Sequence, residues 1–259
     1  MIKSWEYKNE YNYLKKKILA SVDKTFKSGK LFFGNELNKF EKNFLKINKS
    51  KYGVAVASGT DAIYLSLKAL NIGQNDKVIT EAKTAIPTVS AIKNTGASEK
   101  FINIKEDYLM NVNEIEKVIT KKTKAVIVVH MLGVPAKLDE IKSICDKKNI
   151  ALIEDAAESL GTFYTSGKFK KRHTGTIGVV GCLSFNGNKI ITTGAGGAIL
   201  THDQAIGEQA RHLTSTAKIN HVWEFDHDQI GYNYRISNIS AALGCAQLEL
   251  MDSFLKRKR

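Results

Sequence analysis

The sequence predicts an α/β protein whose mainly parallel, mixed sheet is flanked by helices. Short apolar and β-branched runs alternate with helical stretches between residues 52 and 213. This alternation is typical of parallel strands that are joined by covering helices. The 259 residues contain no internal repeat, no low-complexity tract and no linker. We therefore expect one large domain.

Two amphipathic helices are predicted ahead of the first strand, at 10–26 and 36–47. Each carries apolar residues three or four positions apart, which is the spacing of one helix face. These residues are Tyr11, Leu14, Ile18, Val22 and Phe26 in the first helix, and Leu37, Phe40, Phe44 and Ile47 in the second. The first helix is expected to end at Ser28-Gly29.

Strands and helices then alternate along the chain. We predict strands at 52–57, 77–80, 100–104, 125–130 and 150–155, with helices at 62–70, 87–94, 112–119 and 138–148 between them. Two further strands are predicted at 179–185 and 198–201, followed by a helix at 203–213. A last helix begins after Ser237, and its inward face is made of Ile239, Leu243, Ala246, Leu250 and Phe254.

The net charge of +13 raises nucleic-acid binding as one hypothesis. The lysines are scattered, however, and the one dense basic cluster is the end of the chain at 256–259. Aromatic residues do not interleave with the basic ones as a stacking platform requires. We therefore expect no nucleic-acid partner. A solvated, lysine-rich surface explains most of the charge, and it also suits a polyanionic small substrate such as a nucleotide diphosphate.

No targeting, membrane or metal signal is visible. No apolar run approaches the ~18 residues of a transmembrane helix, and residues 1–6 lack the apolar region of a signal peptide. Cys145, Cys182 and Cys245 lie in apolar surroundings without a CxxC motif, so we expect reduced core residues. The histidines lack the spacing of metal ligands. We expect a cytoplasmic protein with no metal site and no membrane partner.

The turn Ser58-Gly59-Thr60-Asp61 joins the first predicted strand to a helix. Small residues at a helix N-terminus leave backbone N–H groups free, and the helix dipole favours a phosphate there. The hydroxyls of Ser58 and Thr60 add donors. A plain helix cap is the alternative that these residues leave open.

Two other side chains are candidates for chemistry. Asp155 ends a predicted strand, and ligands of open α/β sheets bind beyond the carboxyl ends of the strands. Its alternative role is a helix N-cap. Lys189 lies between the apolar run 179–185 and the glycine-rich stretch 194–197. A partly desolvated lysine can be a nucleophile toward an aldehyde, whereas a solvated loop lysine is the alternative.

Together, this turn, carboxylate and lysine are the groups that pyridoxal phosphate (PLP) needs. A lysine can form an imine with the cofactor aldehyde, and a carboxylate can keep the pyridine nitrogen protonated. A helix N-terminus with hydroxyl groups can hold the phosphate. The order and the chemistry of these groups therefore predict PLP as the cofactor.

Four sequence blocks resemble the DegT/DnrJ-type (StrS-like) sugar aminotransferases, at 57–62, 153–161, 183–197 and 231–235, the last together with Asn238 and 241–244. The resemblance covers nearly the whole chain and is closest to members of bacillosamine and legionaminic-acid pathways. It implies an aspartate-aminotransferase-like large domain of PLP fold type I over residues 1–240, including the N-terminal helical segment 1–30. Residues 241–259 would start a linker helix to a small C-terminal domain, which we expect to be largely missing.

The resemblance also implies roles at the cofactor ring. Lys189 would be the catalytic lysine, which binds the cofactor aldehyde and shuttles the proton. Asp155 would pair with the pyridine nitrogen, and Glu158 would lie near the ring hydroxyl.

Other implied roles concern the phosphate and the partner subunit. The phosphate would be held by Ser58, Gly59, Thr60, Ser184 and the backbone N–H of Asp61. Asn233 would reach the phosphate in the neighbouring subunit of a homodimer. Arg235 would fix that loop or meet the sugar nucleotide.

The implied reaction is amino transfer from glutamate to a 4-keto-6-deoxy nucleotide sugar, in the biosynthesis of amino sugars and surface polysaccharides. Lys189 argues against the relatives that carry histidine there and act as dehydratases. The alternative is a truncated, non-catalytic remnant that binds PLP and dimerises without turnover. The sequence specifies neither the nucleotide and sugar nor the stereochemistry of the new amine.

Three positions depart from the family pattern. Ala85 stands where an aromatic ring would stack on the cofactor, which removes about 1 kcal/mol of stacking. Lys83 stands where an apolar residue is usual. Ala195 lies within the glycine cluster, and it would be strained there by about 1 kcal/mol if that position needed a positive φ.

Overall fold

A seven-stranded sheet with the order β1-β7-β6-β5-β4-β2-β3 forms the centre of the molecule. The computed structural model describes residues 7–258. The strands are β1 (Tyr52–Val56), β2 (Lys77–Glu81), β3 (Ser98–Ile102), β4 (Thr123–Val129), β5 (Ala151–Asp155), β6 (Val180–Ser184) and β7 (Gly197–Thr201). β7 pairs antiparallel with β1 and β6, and all other adjacent strands in this sheet are parallel, so the predicted mainly parallel, mixed sheet is confirmed.

Helices cover both faces of this sheet. They are α1 (Tyr7–Lys27), α2 (Asn35–Asn48), α3 (Gly59–Ala69), α4 (Ile86–Asn94), α5 (Val112–Val118), α6 (Leu138–Lys148), α7 (Gln204–Thr214), α8 (Asn238–Leu248) and α9 (Met251–Lys258). Within the described residues, no helix is both long and apolar enough to cross a membrane.

Alternating side chains of each strand enter different hydrophobic clusters. In β1, Ala55 packs in the cluster formed with α1, α2 and α8, whereas Val54 and Val56 pack in the cluster formed with α3, α4 and α7. A third cluster lies between the other end of the sheet and helices α5 and α6. Successive side chains point to opposite faces of a strand, so a sheet covered on both sides needs nearly continuous apolar runs.

At the β3 edge of the sheet, the strand is less covered and its residues are more exposed. The interior strand β4 is buried at six of its seven positions, while the edge strand β3 is exposed at three of five. The structure places β3 at Ser98–Ile102, two residues before the predicted start at 100. The parallel register explains this difference, because Lys77 at the start of β2 lies opposite Ser98.

Two helical predictions need correction. Phe26 was expected on the inner face of α1, but it is 55% exposed, and Thr25 is buried instead. Thr25 follows the buried Leu14 by about three full turns of 3.6 residues, whereas Phe26 is rotated a further ~100°. The predicted last helix is two helices, α8 and α9, since the chain turns at Glu249–Leu250 and then buries Met251 and Phe254.

The predicted domain boundary and the cysteines can also be placed in the structure. The predicted domain boundary at residue 240 falls within α8, which packs on α1 and α2. Residues 1–6 of the N-terminal segment and Arg259 of the basic cluster lie outside the described residues. Cys145, Cys182 and Cys245 are buried and free, as predicted.

Candidate active site

A cavity of about 320 Å³ opens at the carboxyl edge of the sheet. Parallel strands end together at this edge, so residues that follow β1, β2, β5 and β6 meet around one space. The lining residues are Ser58, Gly59, Thr60, Ile63, Ala85, Pro87, Asp155, Ala157, Ser184, Asn186, Asn188, Lys189, Ala195 and Gly196. The structure therefore brings the predicted turn, carboxylate and lysine together.

The N-terminus of α3 forms one wall of the cavity. Ser58 is its N-cap, and the Ser58 hydroxyl accepts from the Asp61 N–H at 3.0 Å and donates to Asp61 Oδ2 at 2.8 Å. The Ala62 N–H bonds to the Ser58 carbonyl, so the N–H groups of Gly59 and Thr60 precede the first helical hydrogen bond. This end of α3 suits an anion.

Asp61 has a capping role in this structure. Its N–H, predicted to bind the phosphate, is directed to Ser58 Oγ, and Asp61 does not line the cavity. Burial raises the pKa of its carboxyl group, and the Ser58 hydroxyl opposes that effect. The cap alternative thus describes Asp61, whereas Ser58, Gly59 and Thr60 lie at the cavity.

Two glycines allow strands and helix to approach closely. A Cβ atom on Gly59 would lie 2.9 Å from Ser184 Cβ, and one on Gly197 would lie 2.4 Å from the Ser58 carbonyl oxygen. Glycine permits this backbone approach because it has no Cβ. As a result, the Ser184 hydroxyl at the end of β6 lies beside the N-terminus of α3.

Asp155 is almost completely buried at the end of β5. Its Oδ2 accepts from the Thr88 hydroxyl at 2.7 Å, and its Oδ1 accepts from the Ala157 N–H at 3.2 Å. Burial raises the pKa of this carboxyl group, while the hydrogen bonds from Thr88 and Ala157 oppose the shift. No helix follows Asp155 directly, so the helix-cap alternative does not apply.

Lys189 is a largely buried lysine with an ionic partner. Its Nζ lies 3.2 Å from Glu158 Oε1, and its side chain is 17% exposed. The other carboxylate oxygen of Glu158 accepts from the Leu132 N–H at 3.0 Å. Glu158 therefore lies at Lys189, and the solvated-loop alternative for Lys189 does not describe this environment.

The family departures have different structural consequences. Ala85 and Ala195 both line the cavity, so the wall at residue 85 lacks an aromatic ring. Ala195 is not among the residues with positive φ, whereas its neighbour Gly194 has a φ of 84°. The backbone strain considered for Ala195 is therefore absent. Lys83 Nζ lies 3.7 Å from the centre of the Tyr108 ring.

Asn233 and Arg235 are placed outside the cavity. Asn233 is exposed and pairs with Ser215 in an isolated β-bridge. Arg235 pairs in the same way with Val56, and its guanidinium carbon lies 4.0 Å from the centre of the Phe33 ring. Burial lowers the pKa of Arg235. Neither side chain contributes to the cavity of its own chain.

Sequence reasoning missed several buried polar residues around the site. Glu154 accepts from His130 Nε2 at 2.8 Å and from three backbone N–H groups at 2.6–2.7 Å. Glu81 ends β2 and is fully buried, and Thr88 holds Asp155. Strand-end position could have indicated Glu81, as it did Asp155. Thr88 carries no signal of this kind because it lies inside a predicted helix.

The sequence pattern of the DegT/DnrJ/EryC1/StrS aminotransferase family matches residues 12–259 of this chain. Over 239 residues, the chain is 41% identical to GDP-perosamine synthase of Escherichia coli O157:H7. The aligned region covers 92% of this chain and 63% of that protein. The chain spans less than two thirds of the length of the curated relatives it matches.

Solved structures show the same fold. DesV of S. venezuelae, in complex with a ketimine intermediate, has a TM-score of 0.89 and 31% identity, covering 96% of this chain and 65% of its own. The PLP form of Spr1654 from Streptococcus pneumoniae has a TM-score of 0.87 and 25% identity, covering 94% and 66%. The predicted aspartate-aminotransferase-like large-domain fold is confirmed. The closer resemblance to bacillosamine and legionaminic-acid enzymes stays a prediction.

Proposed function

This chain belongs to the DegT/DnrJ/EryC1/StrS aminotransferase family, and we propose on that basis that it binds PLP in the cavity and catalyses amino transfer to a nucleotide sugar. The observation that carries the proposal is the convergence of Ser58, Asp155 and Lys189 on one cavity. Its volume of about 320 Å³ falls within the ~300–1,000 Å³ of small-molecule sites.

The cavity residues fit the chemistry of PLP at both ends. At one end, the N–H groups of Gly59 and Thr60 and the hydroxyls of Ser58 and Ser184 would hold the phosphate. At the other, Asp155 is buried and acts only as an acceptor toward its protein partners, as a partner for a protonated ring nitrogen must.

Bound PLP would supply an electron sink for the electron pair released at the substrate carbon. Asp155 would stabilise the positive ring nitrogen through its charge. Lys189 would hold the cofactor and then move a proton through its Nζ. Glu158, which lies 3.2 Å from that nitrogen, would orient the amine and stay near the ring hydroxyl.

We propose glutamate as the amino donor and a 4-keto-6-deoxy nucleotide sugar as the acceptor. The relative from Escherichia coli O157:H7 is a GDP-perosamine synthase, which supports a nucleotide sugar. The net charge of +13 also favours a polyanionic substrate. The step would belong to amino-sugar and polysaccharide biosynthesis.

We further propose a cytoplasmic homodimer in which the Asn233 loop reaches the neighbouring site. Asn233 is exposed at the base of the segment 216–230, and that segment carries exposed Trp223 and Phe225. The free cysteines fit a reducing compartment. Residues 1–240 would form the large domain, and residues 241–259 would start the linker helix to a small C-terminal domain.

The test of cofactor binding is a visible absorption spectrum of the purified chain after incubation with PLP. A band that borohydride removes, and that Lys189→Ala lacks, would place the covalent link on Lys189. Lys83→Ala is a matched control, because Lys83 does not line the cavity, and it should keep the band. A folded wild-type chain without the band would contradict the proposal.

Cofactor binding without turnover is the second candidate function. The cavity wall at Ala85 favours it, since no aromatic ring is available there to stack on the cofactor. Incubation of the PLP-loaded chain with glutamate separates the two candidates. Spectral conversion with release of 2-oxoglutarate supports the transferase, whereas an unchanged spectrum supports the non-catalytic remnant.

A further inference from the structure

A chain of two hydroxyl groups lies behind the Asp155 carboxylate. Thr88, on the first turn of α4, is fully buried, and its Oγ1 donates to Asp155 Oδ2 at 2.7 Å. Thr84 precedes the helix, and its Oγ1 donates to Thr88 Oγ1 at 3.0 Å. The two hydroxyls and the carboxylate thus form one connected hydrogen-bond chain.

The donor and acceptor roles in this hydrogen-bond chain follow from the group at its end, the Asp155 carboxylate. The Thr88 hydroxyl donates to Asp155 Oδ2, which is the direction that an ionised carboxylate requires, because it can only accept hydrogen bonds. A hydroxyl has one proton and two lone pairs, so Thr88 can take the Thr84 proton on its oxygen. Hydrogen bonds to an ionised group are stronger than those between neutral groups, and each donor in such a chain polarises the next.

The second oxygen of Asp155 is held as well, by the Ala157 N–H at 3.2 Å. Each oxygen of the buried Asp155 carboxylate thus accepts one hydrogen bond, from Thr88 or from Ala157. Rotation of the carboxylate would break these hydrogen bonds. Leaving a buried polar group without its partner is costly. The remaining lone pairs of Asp155, which lines the cavity, are therefore those available to a ligand.

We propose that Thr88, supported by Thr84, is a positioning residue that keeps the Asp155 carboxylate ionised and turned toward the ring nitrogen of the cofactor. This inference rests on the proposed function, because it assigns the ring nitrogen to Asp155. The turn that carries Thr84 and Thr88 also gives Ala85 and Pro87 to the cavity wall. One short segment thus shapes the wall and orients the carboxylate behind it.

The first test uses the cofactor-free chain labelled with ¹³C, and follows the carboxyl carbon of Asp155 by NMR as pH is varied. Thr88→Val keeps the shape of the side chain and removes the donor, so the Asp155 pKa should rise by about one unit or more. Thr88→Ser keeps the hydroxyl and should follow the wild type. Thr84→Val should give a smaller rise in the same direction.

The titratable groups that act on Asp155 are the same in all variants. They are Glu81 on β2, His130 after β4, Cys182 on β6 and Lys189. A difference between Thr88→Val and Thr88→Ser therefore reports the hydroxyl and not these neighbours. Thermal unfolding of each cofactor-free variant shows whether it is folded, and Thr84→Val carries the test if Thr88→Val is not.

The second readout is the dissociation constant of PLP, measured by fluorescence titration. Thr88→Val should weaken binding about tenfold or more, whereas Thr88→Ser should stay within about threefold of the wild type. Equal titration of Asp155 in wild type, Thr88→Val and Thr84→Val would overturn the positioning role. A shifted Asp155 titration in a chain that does not bind PLP would instead overturn the proposed function, while the effect of Thr88 on the Asp155 carboxylate would stand.

Discussion

Glu81 is a buried carboxyl group without a cationic partner in the described part of the chain. It ends β2, accepts from the Val129 N–H at 3.0 Å, and lies close enough to Asp155 for the two charges to repel. Burial is the main cause that raises its pKa to about 8. Below about pH 8, Glu81 is therefore mostly protonated, and its charge does not act on the neighbouring Asp155.

Replacement of Glu81 by Gln should make stability less dependent on pH. The folded-state pKa of Glu81, about 8, lies above the unfolded value. The free energy of unfolding of the wild-type protein therefore falls as pH rises from about 4 to 8. Glu81→Gln cannot ionise, so its free energy of unfolding relative to wild type should increase by about 3 to 4 kcal/mol between pH 5 and pH 8. Urea unfolding at pH 5 and pH 8 measures the change.

The control for this experiment is Glu106→Gln, which changes an exposed glutamate. It should reproduce the wild-type pH dependence. If Glu81→Gln also tracks the wild type from pH 5 to 8, Glu81 is ionised in the folded protein at neutral pH. The conclusion that Glu81 is protonated beside Asp155 would then be wrong.

At the scale of elements, the cavity depends on the contact between α3 and β6. A methyl group on Gly59 would lie 2.9 Å from Ser184 Cβ and 3.1 Å from its Oγ. Ser184 is paired in the sheet with Gly197 and has little room to move. We expect Gly59→Ala to push Ser184 away from the helix N-terminus and to weaken PLP binding about tenfold, from ~1–3 kcal/mol of overpacking.

Gly187→Ala is the matched control for that variant. A Cβ on Gly187 would have no neighbour within 4 Å and would need no unusual backbone angle, although Gly187 lies two residues from Lys189. Its PLP dissociation constant should equal that of the wild type in the same fluorescence titration. Equal affinities for Gly59→Ala and Gly187→Ala would show that the close approach of α3 and Ser184 does not shape the proposed phosphate site.

Across the whole molecule, the alternating strands and helices were predictable from the sequence. Burial of both sheet faces requires the apolar patterns that mark them. The strand at 125–130 and the helix at 138–148 appear in the structure with shifts of at most two residues. Ser58, Asp155 and Lys189 were also predictable from strand ends and the glycine-rich stretch. Each of these signals is local in sequence.

The features that could not be predicted from the sequence depend on contacts between residues distant in sequence. Thr88 touches Asp155 across 67 positions of the chain, and Glu81 touches Val129 across 48. The break after α8 follows from the burial of Met251 and Phe254, and a pattern of apolar spacing cannot show it. Local periodicity therefore indicates elements, while the polar support of the site requires the assembled sheet.

The segment 216–230 presents the large exposed apolar side chains that a homodimer interface would need. Val222, Trp223, Phe225 and Ile230 are each at least 75% exposed. A bridge between Lys218 and His227 closes the segment, and Lys218 Nζ lies 3.7 Å from the centre of the Phe225 ring. Exposed apolar groups of this density usually mark an interaction site.

Trp223→Ser should therefore weaken self-association at least about tenfold, because buried tryptophans often dominate interface energies. Sedimentation velocity over a range of concentrations measures the effect. Phe26→Ser, which removes an aromatic side chain that is 55% exposed on α1, should leave association unchanged. In the proposed homodimer, Asn233 lies close in sequence to this segment, so loss of association would also release it from the neighbouring site. A wild-type chain that stays monomeric at all concentrations, or a Trp223→Ser chain that associates like the wild type, would contradict this interface.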